Sequence, residues 1–350
     1  MGSSFKFKFL FLFQFGISFL FAQVPANYYN LAVGKKSAEL KTSLHQIIKP
    51  HTILEYYSSS TSFRTTDWHP DGYFWDMYSS YKRTVWSGMN REHNLPKSWW
   101  STSPETTVAY SDLHNLYPSD PTANTAKSNY PLGVVGTSTI FSNGVVKVGS
   151  SSYPGYSGVV FEPANEYKGD FARDYMYMVT CYEDYANNWR SLGTSSMLFS
   201  GATYPVFKPY AINLLLEWSR NDPVSEKEIN RNNAVYNLQG NRNPFVDFPA
   251  LSEYLWGKYK DESWTGDNSE PESGSVFYLS YSGETQSLFV KTYQPESARF
   301  YIYNSSGVQL MYAESINGES TIDVSGLEKG IYIIKLYSGT KRSADKFVVN

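Results

Sequence analysis

The sequence predicts an α+β protein, a mixed helix and strand domain followed by a small all-β sandwich. Three observations carry this expectation. Helical signatures recur through the first 260 residues, interrupted by β-branched, glycine-rich runs within 137–162. The composition then changes at Asp261 to an acidic stretch rich in Ser and Gly. Beyond it, from Ser275 onward, short alternating segments are punctuated by turn residues.

The elements follow in order. Lys6 and Lys8 precede a nearly unbroken apolar run from Phe9 to Phe21, and Ala22 is a small residue at a cleavage point. Residues 1–22 thus read as a secretory signal peptide, the run being short for a membrane span. No second long apolar segment follows, so no membrane span is expected in the mature protein. Leu31, Leu40, Leu44 and Ile48 fall near a 3.6 period, which predicts a helix over 26–49 that Pro50 stops. Residues 55–110 are polar and aromatic and predict loops with short strands. Ser119-Asp120-Pro121 is an N-cap and first-turn signature for a short helix closed by Pro131. Val145–Val148 and Gly158–Phe161 predict strands. Helices are expected over 170–188, 209–219 and 225–237, the last opened by the capping-box pattern Ser225-Glu226-Lys227-Glu228. The expected organisation is a domain over 24–260, a linker over 261–274 and a β-sandwich over 275–350 with about seven strands.

The net charge of −3 argues against a uniformly basic nucleic-acid binder, though not against an enzyme with a local cationic groove. The single cysteine, Cys181, excludes an internal disulfide and a Cys-based zinc cluster. It lies in an apolar, aromatic helical stretch and reads as a buried structural thiol.

Two segments carry chemistry. One is Asn90-Arg91-Glu92-His93-Asn94-Leu95-Pro96; the other is Asp112-Leu113-His114-Asn115-Leu116-Tyr117-Pro118, with Asn124 and Lys127-Ser128-Asn129 after it. Hydrolysis of a phosphodiester at neutral pH needs an activated water and neutralisation of developing charge. A hard divalent cation with few protein ligands supplies the second, and a neutral imidazole the first. Glu92, Asn124 and His93 offer that set. If Glu92 and His93 share a strand, their side chains diverge. On a helix Lys127 shares a face with Asn124, within reach of a phosphate. A lone Glu-His pair is weak evidence. The clustering of two of the five histidines with Asp112, Glu92 and several Asn strengthens it.

These residues resemble the bacterial endonuclease I family. Arg91-Glu92-His93 with Pro96, Asp112 to Pro118, Ser128-Asn129, Glu162-Pro163, Lys168-Gly169-Asp170, Ala172-Arg173, Leu216-Glu217-Trp218, Asp222 to Ser225 and Gln239 to Asp247 carry the likeness, over roughly residues 26–258. The resemblance implies a ββα-metal nuclease core and a metal-dependent, largely sequence-independent endonuclease acting on DNA, and on RNA as well. It implies His93 as general base and Glu92 as metal ligand. Asn124 is the second ligand, with Asn129 as its alternative. The metal is Mg²⁺, or else Mn²⁺ or Ca²⁺. It further implies Arg173 and Lys127 as phosphate contacts, with Lys97 another candidate cation. Arg91, Asp112, His114, Asn115 and Glu162 are expected as supporting groups or alternative ligands. The chain departs from relatives that carry a Cys- and Arg-rich insertion between the two motifs, which leaves the phosphate-contacting cation open.

The C-terminal module resembles the sorting domain of the type IX secretion system, through Tyr303 to Gly307, Ile322 to Leu327 and Gly330-Ile331-Tyr332. That likeness implies the type IX machinery as a partner and a secreted or cell-surface location. The rival expectations are a non-catalytic surface protein binding nucleic acid or glycan, and a metallophosphoesterase of small substrates.

Overall fold

A computed structural model describes residues 24–189 and 198–268 and, beyond them, 277–283, 285–292, 298–314, 319–338 and 341–349. The expected signal peptide and the second half of the expected linker lie outside these residues. The chain divides into two compact units between Asn268 and Ser269.

The first unit is α+β. The expected helix over 26–49 forms only as a 3-10 turn, Asn30–Ala32, and helix α1, Ser37–Ile48, because Gly34 takes a φ of +77° between them. Helix α2, Ser59–Thr66, falls where only loops and strands are expected. Its sequence SSTSFRTT has one large apolar residue, Phe63, and no apolar period. Two-residue strands β1, Trp68–His69, and β2, Tyr73–Phe74, form a hairpin across Gly72. Strand β3, Asn90–His93, pairs antiparallel with β4, Leu116–Ser119, and helix α3, Pro121–Lys127, follows directly. This β3–β4–α3 run is the ββα unit. The Asp120 side chain accepts from the amides of Thr122 and Ala123, a cap worth about 1 kcal/mol. The helix ends at Ser128, whose φ is +48°, earlier than Pro131.

A three-stranded sheet follows, β5, Val135–Ser142, β6, Lys147–Ser151, and β7, Val159–Glu162. Helix α4, Lys168–Cys181, is buried along nearly its whole length, and α5, Ala186–Trp189, succeeds it after a 3-10 turn. Cys181 is free and buried there. Helices α6, Pro209–Asn221, and α7, Glu226–Gln239, match their expected starts, and α7 has the complete Ser225–Glu228 capping box. Short helices α8, Pro244–Asp247, and α9, Leu251–Leu255, close the unit. Trp264, expected in a linker, is fully buried; its ring meets Tyr29 and Phe248, and its backbone bonds Gly34 and Lys35. An indole buries too much apolar area to stay in a solvated tether, so residues up to Asn268 belong to this unit.

The second unit holds seven antiparallel strands among its described residues. Strands β8, Phe277–Ser282, β9, Ser287–Thr292, and β12, Glu319–Asp323, make one sheet. Strands β10, Ala298–Asn304, β11, Gln309–Glu314, β13, Gly330–Ser338, and β14, Lys341–Val349, make the other. Leu288 and Val290 from one sheet and Phe300, Ile302, Ile334 and Leu336 from the other share a single core, which makes the unit a β-sandwich. Among the described residues no helix is long and apolar enough to cross a membrane.

One buried cation joins α7 to the ββα unit. The Arg231 guanidinium pairs with Asp67 at 2.8 Å, donates to the carbonyls of Leu113 and Leu116 at 2.6 and 2.9 Å, and lies over the Tyr117 ring. Arg231→Met leaves Asp67 buried and unpaired. Its unfolding free energy in urea is expected to fall by about 3–5 kcal/mol; an unchanged midpoint would show that this tie is dispensable.

Candidate active site

Glu92 and His93 sit side by side on β3, so the pleat sends their side chains to opposite faces. On one face, the Glu92 carboxylate accepts from Lys127 Nζ at 2.6 Å. Lys127 comes from the last turn of α3, is wholly buried, and also donates to the His93 carbonyl at 3.3 Å. Burial pushes the Glu92 carboxyl above its ordinary range, while Lys127 and Lys97 oppose that shift. The ion pair works against the cost of burying that carboxyl.

On the other face, His93 lies between aromatic rings, stacked parallel to Tyr56 at 6.0 Å and edge-on to Trp100 at 5.7 Å. His93 Nε2 lies 2.8 Å from the Tyr110 carbonyl. A carbonyl only accepts, so Nε2 carries the hydrogen and Nδ1 keeps its lone pair. Burial lowers the imidazole's pKa to about 3, although the Tyr110 carbonyl opposes that, so the ring is neutral near pH 7. The result is a fixed, uncharged imidazole with an open lone pair on Nδ1.

The loop between β3 and β4 is held by Asn115. Its amide oxygen accepts from the Leu95 amide at 2.7 Å, its Nδ2 donates to the Leu95 carbonyl at 3.1 Å, and its own carbonyl accepts from Asn94 N. The side chain therefore extends the β3–β4 ladder past His93. Asp112 is a buried hub that accepts from Tyr177, Tyr182 and Gln239, each at 2.7 Å, and from the His114 amide. His114 faces the Asn241 carbonyl and the Tyr177 ring, and burial lowers its pKa to about 4. These three residues position the loop and are turned toward the core. Arg91 is clamped to Ser59 Oγ and the Tyr57 carbonyl, both at 2.7 Å.

Several sequence expectations need correction. Arg173 does not reach a phosphate. Its guanidinium is fully buried, gripping Glu228 at 2.6 and 2.8 Å and the Asp222 carbonyl, and it ties α4 to α7. Lys127 is likewise committed to Glu92 rather than to a surface. Glu162 is no ligand in this place, because its oxygens accept from the Val135 amide and from Lys168. Asn129 follows the turn at Ser128 and has left the helical face. Lys97 is the cation left at the solvent side. It is exposed, its Nζ lies 5.2 Å from the Tyr110 ring, and its field acts on both Glu92 and His93. Sequence reasoning missed Tyr110 and Tyr56, since a carbonyl and a stacked ring leave no motif.

The donor set suits a hard ion. Glu92 supplies a carboxylate. Half-exposed Asn124, one helical turn before Lys127, makes no side-chain hydrogen bond among the described residues. Among those residues no group of three or more His, Cys, Asp or Glu could hold an ion. A carboxylate and an amide oxygen are ligand types that a hard divalent ion takes.

Residues 36–250 match the family model described as endonuclease I, and residues 283–350 that of the secretion system C-terminal sorting domain. The chain is 32% identical over 245 residues to an extracellular ribonuclease of Bacillus amyloliquefaciens, covering 65% of this chain and 78% of that one. A second extracellular ribonuclease, from Bacillus subtilis, is also 32% identical, with the same shares covered. The C-terminal match, on a secretion-system sorting module, makes this a secreted or cell-surface protein.

Asn115→Leu keeps the side chain's branching and removes both bonds to Leu95. Its unfolding free energy is expected to drop by about 1–3 kcal/mol. Amide exchange at Leu95 should accelerate together with it; protection unchanged at Leu95 would remove Asn115 from this role.

Proposed function

Because the chain belongs to the endonuclease I family, we propose that it is a metal-dependent endonuclease that cuts DNA and RNA with little sequence preference, with His93 as general base. The observation that carries this is the His93–Tyr110 contact, which leaves a neutral imidazole with its Nδ1 lone pair free to take a proton. RNA enters because two extracellular ribonucleases of Bacillus are each 32% identical to this chain over 65% of its length.

In the proposed reaction Nδ1 of His93 takes the proton of the attacking water as its oxygen bonds to phosphorus, and the bond to the leaving oxygen breaks. Glu92 and Asn124 would hold Mg²⁺, or Mn²⁺ or Ca²⁺ in its place, and the ion would supply neutralisation of the charge that develops on the phosphate and the leaving oxygen. Lys127 keeps Glu92 ionised. Lys97 draws the substrate's phosphates to the site. The Tyr56 and Trp100 rings keep bulk water from His93. Residues 1–22 act as a removable export signal and the C-terminal sandwich as the tag read by the type IX secretion machinery.

The test is nicking of supercoiled plasmid and cleavage of a fluorogenic RNA by the full chain, with Mg²⁺ and with EDTA. Cleavage is expected to need the metal. It should drop by about 10²–10⁴ in His93→Ala, with folding retained. Persistent cleavage in that variant would remove His93 as the base. Lys97→Met should leave the product pattern unchanged and reduce the slope of log affinity against log salt by roughly one contact. An unaltered slope would leave the phosphate cation elsewhere.

A further inference from the structure

A ladder of rings and cations leaves His93 along the surface of residues 56–91. The Tyr56 ring lies parallel to His93, and the Arg91 guanidinium sits 5.3 Å from Tyr56 and 4.9 Å from the Trp86 ring. Trp86 meets Phe74, which meets Trp68 edge-on, and Arg64 lies over both of these rings at 5.2 and 4.7 Å. Beyond them His69 stacks on Tyr73 at 4.3 Å beside a cleft of about 250 Å³. Lys82 lies over Tyr73 and Arg83 over Tyr81. Phe74 is buried and Tyr56, Trp68 and Trp86 pack half-buried against its core cluster, whereas Tyr57 is 74% exposed beside Arg91 and Tyr81 62% exposed beside Arg83.

Within residues 56–91 exposed cations outnumber exposed acids, although the whole chain carries −3 and exposed Glu55 adjoins Tyr56. Arg64, Lys82 and Arg91 are exposed or half-exposed with no acidic partner among the described residues, while half-exposed Arg83 pairs with Asp120 and Asp76. Of the acids in the same stretch, Asp67 and Asp76 are buried and face Arg231 and Arg83, so Asp71 alone is exposed; Glu166, from outside the stretch, borders the cleft. Cations spaced between exposed rings match a chain of phosphates with flat bases between them. In a duplex the base faces are covered by their neighbours, so only an unpaired strand can use such rings.

We propose that this strip is a stacking track for single-stranded nucleic acid, leading unpaired nucleotides toward His93. The proposal rests on the nuclease reading and narrows it. Base faces on Tyr57 and Tyr81, with phosphates on Arg64 and Lys82, make unpaired segments the preferred substrate, as in looped RNA or melted DNA.

The test uses the full chain carrying His93→Ala, in EDTA, and fluorescence anisotropy of three labelled probes. These are a twelve-residue oligothymidylate, the same length of abasic deoxyribose phosphate, and a twelve-base-pair duplex. The oligothymidylate is expected to bind at least about fivefold tighter than the abasic strand, since each stacked base is worth that much or more. Adding Tyr57→Ser and Tyr81→Ser should remove most of that preference and leave abasic binding in place. Both residues are exposed, so folding is not at risk, and circular dichroism checks it. Equal affinity for the base-bearing and abasic strands, or a preference untouched by the two substitutions, overturns the track. The nuclease reading fails separately: a wild-type chain that shows the stacking preference yet cuts no nucleic acid with Mg²⁺ keeps the track and loses the enzyme.

Discussion

The buried Glu92–Lys127 pair is the constraint around which the ββα unit is arranged. A carboxylate in an apolar interior reverts to the acid unless a cation meets it at close range. The only way to bring Lys127 to Glu92 is to fix the helix end that carries it, 35 residues on in sequence. Asp120 does this twice over: one oxygen caps α3 and the other takes Arg83 at 2.7 Å. Strand β4 sets the helix start by pairing with β3 in a register that puts Tyr117 opposite Glu92. Each part of the unit is therefore specified by the need to keep one charge in a dry place.

The same logic extends outward. The first unit buries many polar side chains, and several of its buried ions are grouped in sets, while a few atoms such as Tyr78 Oη and Asn94 Oδ1 have no partner among the described residues. Arg173 with Glu228 joins α4 to α7, Arg231 with Asp67 joins α7 to α2, and Asp112 gathers Tyr177, Tyr182 and Gln239. Replacing one member strands the others, whereas an apolar core tolerates a lost methylene group. Such sets cost desolvation and contribute little net stability. What they supply is a unique position for the loop that Asn115 bonds to Leu95, and thereby for His93 beside it.

Much of the fold was legible in the sequence because it is written in local rules. The capping box at Ser225 and the cap at Asp120 mark helix starts without reference to tertiary structure. The seven short strands of the sandwich follow from alternation and turns. Helix α2 was not legible, since Ser and Thr carry weak propensity and only Phe63 anchors it. Trp264 was misplaced because an acidic, Gly- and Ser-rich neighbourhood hides a ring that packs on Tyr29, more than 200 residues away. The site was legible in residue type and not in role. Glu92, His93 and Asn124 fell on the predicted unit, but basic side chains look alike in a string. Only burial separates Arg173 and Lys127, which hold structure, from Lys97, which faces solvent.

That separation explains how a chain of net charge −3 can work on a polyanion. Buried cations are cancelled by buried acids, pair by pair, and contribute almost nothing to the field a ligand meets. The charge that matters is the residue left after those pairings, and it is concentrated on a small part of the surface. The exposed or half-exposed cations without an acidic partner include Lys97 by the Tyr110 ring and Arg64, Lys82 and Arg91, each against a ring that limits its motion. A cation fixed in this way loses little entropy when a phosphate arrives. A chain that is acidic overall can thus still present cations beside one site, because its buried charges pair off among themselves.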